Sequence, residues 1–328
     1  MNVRTGTTRQ NGFVIVVVLC MVICMTALLL GFNYVARINL HTLGTFRRSE
    51  QAVNCARAGL NIAIAVVRDS NSVATGNGCP GPLSGESVFP VGDGDCSVSI
   101  TPENSKLNVN LLKDKNGKLD RARIDQMLRL IDLLNKQDSD HEPIGYGMVP
   151  AIIDWVDSDD QVTCLPFVSR QNLGAESDYY NNLDAPYSCR DGPLATVEEL
   201  LLVKAVTPEL FSRIRDYITV RGNGKVNINF ASKPVIESLS EKMDPILAQM
   251  IIDRRDIKPF DAITELREVP GITDEIYTTV REMVTVDSSE YYHVIAKGTA
   301  GSLSRTIVAI VQKNMAMKNV DVVSYQEL

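Results

Sequence analysis

The densest chemistry in the sequence lies between Asp154 and Pro193, DWVDSDDQVTCLPFVSRQNLGAESDYYNNLDAPYSCRDGP, where Asp157, Asp159 and Asp160 are followed by Glu176 and Asp178. Carboxylates are hard oxygen donors, and Ca²⁺ takes about 6 to 8 oxygens from carboxylates, carbonyls and water together. Five acids confined beside Trp155, Tyr179 and Tyr180, with Arg170 and Arg190 as the neighbouring cations, repel one another until something neutralises them. The pattern therefore predicts a calcium loop with Asp157, Asp159, Asp160, Glu176 and Asp178 as candidate ligands. It is not an EF-hand, because the DxDxDG spacing and the closing glutamate are missing. Two alternatives stand beside it: a solvated acidic turn, since Asp and Ser favour exposed loops, and a carboxylate pair of the glycosidase type, whose geometry a sequence does not set.

Seven cysteines form the second chemical set. Cys20 and Cys24 fall in an apolar amino-terminal run, Cys55 follows it without an assigned role, and Cys79, Cys96, Cys164 and Cys189 lie further on. Proximity along the chain suggests disulfides Cys79 to Cys96 and Cys164 to Cys189, each closing a loop in an oxidising compartment. Zinc is disfavoured, as there is no CxxC pair and His41, His141 and His293 do not cluster with the cysteines.

The elements that must carry these groups begin with FVIVVVLCMVICMTALLLGF, residues 13–32, a run of 20 without charge or proline. That is the length a helix needs to cross a bilayer. Arg4 and Arg9 precede it with no acid, so the positive-inside rule keeps the amino terminus cytoplasmic and sends the rest outward. The run lacks the small-x-small cleavage site of a secretory signal. Beyond it Ala52, Ala56, Leu60, Ala63 and Val67 keep helical spacing, with no proline before Pro80. A helix over 13–67 is about 80 Å long at ~1.5 Å per residue, so its outer half has to pack against the rest of the chain.

In the remainder, a Gly-, Pro- and Ser-rich stretch over 70–95 reads as loop with one strand at Ser87–Val91, Cys96–Thr101 alternates like a strand, and 291–299 and 302–312 are two β-rich runs joined by Ala300-Gly301. The two regions are expected to share one sheet. Between them, 108–286 has helical periodicity, as in RARIDQMLRLIDLL, ATVEELLLVKAV, PELFSRIRDYI and ITDEIYTTVREMV. This gives an α+β chain: a leader over 1–12, a membrane segment over 13–32, a discontinuous α/β domain over 33–107 and 287–328, and an inserted α-helical domain over 108–286. Within the insert, residues 199–220 recur as 265–286, with VKAV in the first copy and VPGI in the second. VPGI is similar to a helix-hairpin-helix turn, which in other proteins sets backbone amides against DNA phosphates. A formal net charge of -7 opposes a phosphate partner, so packing of paired helices is the better reading.

Gly12-Phe13, after a short basic leader and before an apolar helix, resembles the type IV prepilin cleavage and methylation motif; Val17 stands where most such subunits carry a glutamate. With DWVDSDD at 154–160, GAESDYY at 174–180, PLATVEELLLVKAVTPELF at 193–211 and VNIN at 226–229, the chain resembles the minor pseudopilin K family of type II secretion. The resemblance implies a type IV pilin-like fold, a long helix plus a small antiparallel sheet, with a large helical domain inserted and calcium held in the insert. It implies cleavage by prepilin peptidase between Gly12 and Phe13, and a single-pass inner-membrane anchor with a periplasmic head. It also implies a place at the pseudopilus tip with minor pseudopilins I and J and the other pseudopilins of the filament. No catalysis, nucleic acid or small-molecule substrate is expected. The rivals are a DNA-uptake pilus component using the VPGI turn and a membrane-tethered hydrolase using the acidic loop.

Overall fold

The computed structural model describes residues 11–69, 87–114, 117–138, 141–169, 172–314 and 319–328. Helix α1, Asn11–Asp69, is a single element of 59 residues. It has two environments. The most apolar 18-residue window of its amino-terminal half has a mean hydropathy of 3.2 and none of it is buried. The hydroxyl of Thr26, inside that half, donates to the Val22 carbonyl at 2.9 Å, so it adds no unsatisfied polar group to an apolar surface. In the carboxyl-terminal half, Ala52, Cys55, Ala56, Leu60, Ala63 and Val67 form one buried stripe at three- and four-residue steps.

That stripe lies on a five-stranded antiparallel sheet of β1 (Ser87–Val91), β2 (Gly94–Pro102), β7 (Tyr291–Ala300), β8 (Leu303–Asn314) and β9 (Asn319–Glu327), in that spatial order. Alternate residues face the helix: Cys96, Val98 and Ile100 from β2, Val294 and Ala296 from β7, and Ile307, Ala309 and Val311 from β8. Gly298 sets how close the two layers come, since a Cβ there would collide with the Ala52 carbonyl and the Ala56 amide and lie 2.9 Å from the Cys55 Cβ. The helix backbone thus rests directly on β7. Strand β9 goes beyond the sequence reading; of its nine residues only Val320 is buried, so it carries almost no alternation to read.

Residues between the sheet's two halves hold two further hydrophobic cores, one from Leu107 to Val220 and one from Val226 to Val284. They are built on the same plan, so the repeat seen in sequence is the second half of a longer one. Each unit opens with a two-residue strand, β3 (Leu107–Asn108) or β5 (Val226–Asn227), paired in parallel with the strand that closes it, β4 (Ile218–Thr219) or β6 (Val284–Thr285). The asparagines of LNVN and VNIN hold equivalent loops. Asn110 donates to the Leu194 carbonyl at 3.0 Å and accepts from its amide at 2.8 Å, and Asn229 does the same with Phe260 at 3.0 and 2.8 Å. Before each closing strand come a 3₁₀ turn, Val197–Leu202 or Ile263–Glu268, and a short helix, α5 (Pro208–Ile214) or α8 (Asp274–Val280), capped by Thr207 or Thr273. The segment ATVEELLLVKAV, expected to be a helix, is therefore 3₁₀ over Val197–Leu202. The remaining helices are α2 (Arg121–Gln137), α3 (Met148–Val156) and α4 (Ser177–Asn181) in the first unit, and α6 (Lys233–Ser238) and α7 (Pro245–Ile257) in the second.

Between turn and helix each unit needs one residue in the left-handed region: Gly271 of VPGI at φ 94° and Ala205 of VKAV at φ 67°. VPGI is thereby a packing turn shared by both units. An L-residue in this region is disfavoured by about 1–2 kcal/mol, whereas glycine carries only its entropy cost of about 0.5–1 kcal/mol. Gly271→Ala should therefore lower the melting temperature of the full-length protein in detergent, while Ala205→Gly should leave it unchanged or raise it. Equal losses at both positions would contradict the shared turn.

Candidate metal centre

Asp154 sits in the last turn of α3, a helix buried on every side, and is itself fully buried. One of its oxygens accepts from the Thr163 amide at 2.9 Å; the other, Oδ2, has no donor among the described residues. Asp157, three residues on, caps the same helix, so the i, i+3 spacing brings both carboxylates to its end. Glu176 arrives from the segment that starts α4; it is 3% exposed and neither of its carboxylate oxygens has a partner among the described residues. Pairing of 163–165 with 172–174 brings this segment in, through Leu165 N donating to Asn172 O at 2.9 Å and Gly174 N to Thr163 O at 3.0 Å. Gly174 is required there, because a Cβ would lie 2.7 Å from both the Asp154 Cγ and the Pro150 carbonyl oxygen.

The outcome is three carboxylates, Asp154, Asp157 and Glu176, offering oxygens within 4.8 Å of one another. Lys113 pairs with Asp157 and lies 3.7 Å from Asp159. Behind the acids stands an aromatic wall: Trp155 meets Tyr180 edge-on at 5.0 Å, and Tyr180 lies 5.4 Å from Tyr187. Burial, then the charges of Asp154, Asp157, Asp159 and Asp160, push Glu176 up to about 8. Burial likewise raises Asp154 and Asp157, although hydrogen bonds from Thr163 and Lys113 pull them the other way. Burial alone would lower Lys113, but Asp157, Asp159 and Asp154 outweigh it and hold the ammonium charged.

Of the five acids singled out in sequence, Asp157 and Glu176 enter the cluster. Asp159, Asp160 and Asp178 are exposed. Asp159 accepts from the Gln161 amide at 2.9 Å, and Asp178 accepts from the Asn182 side chain at 3.4 Å. Asp154 was missed. The signal was the DWVD spacing, which places its first acid on the face of the last. Arg170 and Cys79 lie outside the described residues.

A second group shares Glu176 with Cys189 and Asp191. Burial pushes the Cys189 thiol up to about 11, so it stays protonated near neutral pH and is a poor ligand for a hard cation. Of the pair Cys164 and Cys189, expected to form a disulfide, Cys164 is exposed and Cys189 is buried, with its sulfur 3.6 Å from the Asp154 carbonyl oxygen. Cys96 is also buried.

Orphaned, buried, all-oxygen donors fit a hard divalent cation. With all three carboxylates ionised, one lysine leaves two negative charges for it to balance.

Two models of the family described as type II secretion system (T2SS), protein K, match residues 105–223 and 226–287, together more than half of the chain. The chain belongs to the type II secretion system protein K family. The two matched segments are the two repeated units described above, and the first contains the whole carboxylate cluster. Type II secretion system protein K of Aeromonas hydrophila is 23% identical over 255 residues, 75% of this chain and 72% of that protein. A chain in the crystal structure of the GspK-GspI-GspJ complex from the enterotoxigenic Escherichia coli type 2 secretion system shares the fold, with a TM-score of 0.63 at 18% identity over 86% of this chain and 99% of that one.

The raised Glu176 has a consequence for stability. Unfolded, this carboxyl gives up its proton near pH 4.5; folded and metal-free, it keeps it to about 8. The folded state then binds more protons than the unfolded one across that window, so stability falls as pH rises through it. In chelator, the melting temperature of the full-length protein should drop between about pH 5 and pH 8. Glu176→Gln should flatten that drop. A chelated Glu176→Gln protein that follows the wild-type pH profile would show that the carboxyl does not hold the proton.

Proposed function

We propose that this chain is a minor pseudopilin at the tip of the type II secretion pseudopilus, anchored in the inner membrane by α1, with its head in the periplasm and a calcium ion at Asp154, Asp157 and Glu176. The observation that carries the reading is the division of α1 into a bare apolar half and a half packed against the sheet. The bare half suits a bilayer before assembly and neighbouring subunit helices after it. The two repeated units beside the sheet would obstruct a subunit stacked above, so the chain suits the end of a filament. Val17, in place of the usual glutamate, suits a position with fewer assembly constraints, such as the tip.

The partners proposed are minor pseudopilins I and J, other pseudopilins of the filament, and the prepilin peptidase acting between Gly12 and Phe13. The E. coli protein was crystallised in a GspK-GspI-GspJ complex, which supports minor pseudopilins I and J alone. Calcium is supported by the orphaned oxygens of the cluster. It would contribute charge balance and hold α3 to the start of α4; Asp159 and Asp160 would add a negative field without sitting in the cluster. No chemistry on a substrate is part of this reading.

Coexpression with minor pseudopilins I and J should yield a copurifying complex, and the intact mass of this subunit from peptidase-competent cells should lack residues 1–12 and carry a methylated Phe13. A retained leader, or no association with either partner, would contradict the assignment. A shift of duplex DNA by the full-length protein at physiological salt would favour the DNA-uptake reading instead.

A further inference from the structure

Two of the buried thiols, Cys55 and Cys96, lie away from the carboxylate cluster. Cys55 lies in the packed half of α1 and Cys96 in β2, at 2% and 0% exposure. They meet across the seam between helix and sheet, and two separate contacts locate them. Gly298 is the residue directly opposite Cys96 in the β2–β7 pairing, and a Cβ on it would lie 2.9 Å from the Cys55 Cβ. Facing residues in an antiparallel pair carry their Cβ positions about 4.5–5.5 Å apart. Gly59, one helical turn after Cys55, would place a Cβ 3.4 Å from the Cys96 Cβ. Cys55 and Cys96 are thus neighbours whichever element is followed. Gly94, next but one to Cys96, would put a Cβ 3.0 Å from the Cys55 sulfur, so that sulfur points into the sheet at the start of β2. Burial and then Cys55 itself raise the Cys96 thiol, as expected of two sulfurs sharing a dry site.

We infer that Cys55 and Cys96 form a disulfide in the mature protein, stapling the long helix to the sheet. The inference rests on the periplasmic reading above, because the bond needs an oxidising compartment. The oxidant is a disulfide donor of the thiol–disulfide exchange class. One cysteine, as thiolate, attacks the donor's disulfide, giving a mixed disulfide and releasing one donor thiol. The second cysteine then attacks its partner's sulfur, closing the Cys55–Cys96 bond and releasing the second donor thiol. Two electrons and two protons pass from the cysteine pair to the donor, which leaves as a dithiol. Buried thiols held above their ordinary pKa are poor nucleophiles, so exchange belongs to folding, before the helix closes on the sheet. This pairing gives Cys55 a role and takes Cys96 from the partner, Cys79, that sequence proximity had suggested. It also secures the contact through which any pull on the membrane helix reaches the head.

The test is made on the wild-type full-length protein in its native membrane: thiols are trapped with a maleimide under denaturing conditions, and peptides are mapped without reduction. The expected result is one cross-linked species joining the Cys55 and Cys96 peptides, which disappears on reduction and persists in a Cys79→Ala variant. A Cys79 to Cys96 link, or maleimide on both Cys55 and Cys96, overturns the proposal. Protease added to spheroplasts separates its failure from that of the compartment. Free thiols on a head that the protease digests overturn the pairing alone, and free thiols on a protected head overturn the pairing and the periplasmic reading together.

Discussion

Three carboxylates forced within 4.8 Å of one another, two of them buried and short of donors, are the constraint around which the first repeated unit is arranged. α3 must run through the core to present Asp154 and Asp157 at its end. Gly174 must lack a side chain for the Glu176 segment to reach them. The Trp155, Tyr180 and Tyr187 wall keeps water from one side and so raises the cost of unbalanced charge. Lys113 relieves only part of that cost, since it pairs with Asp157 while Glu176 is left without a donor. The second unit, built on the same strand, turn and helix plan, has no such cluster among its described residues. One scaffold has been kept for packing in one copy and adapted to hold charge in the other.

The contact between α1 and the sheet follows a different rule. Small residues on both faces, Ala52, Ala56, Gly59 and Gly298, let backbone approach backbone, so the joint depends on close fit more than on bulky side chains. A joint of this kind resists shear poorly unless something fixes its register. Cys55 and Cys96 sit where such a fastening would act. Both insert units hang from the same joint, through the short connections that leave β2 and enter β7. The fold thereby links the apolar half of α1 to the charged cluster through one helix, one sheet and two strand ends.

Much of this was legible in the residues, where a single physical pattern dominated. The apolar run and the stripe from Ala52 to Val67 mark α1, the alternation in 96–101 and the β-rich runs over 291–299 and 302–312 mark three strands, because burial on one face leaves a period that sequence records, and 87–91 stands out only against the loop residues around it. The family resemblance rested on the acidic and repeat motifs. What was not legible depended on contacts between distant segments. β9 is an edge strand with one buried residue, Asp154 joins the cluster only when a helix turns it toward Glu176, and the Asn110 and Asn229 brackets mean nothing until their loops are folded. Which cysteines become neighbours depends on the same kind of contact. Nearness in sequence suggested Cys164 to Cys189, whereas the fold separates that pair by burial and brings Cys55 to Cys96 across the seam.

The most direct measurement is calorimetric titration of metal-free full-length protein with calcium at neutral pH, repeated in buffers of different ionisation enthalpy. If the cluster is held together by a proton until a cation replaces it, calcium binds, and Glu176, pushed up to about 8, gives up its proton on binding. The account predicts release of about one proton per calcium near pH 7, lost in Glu176→Gln. Absence of calcium binding, or binding whose heat does not depend on the buffer, would contradict it.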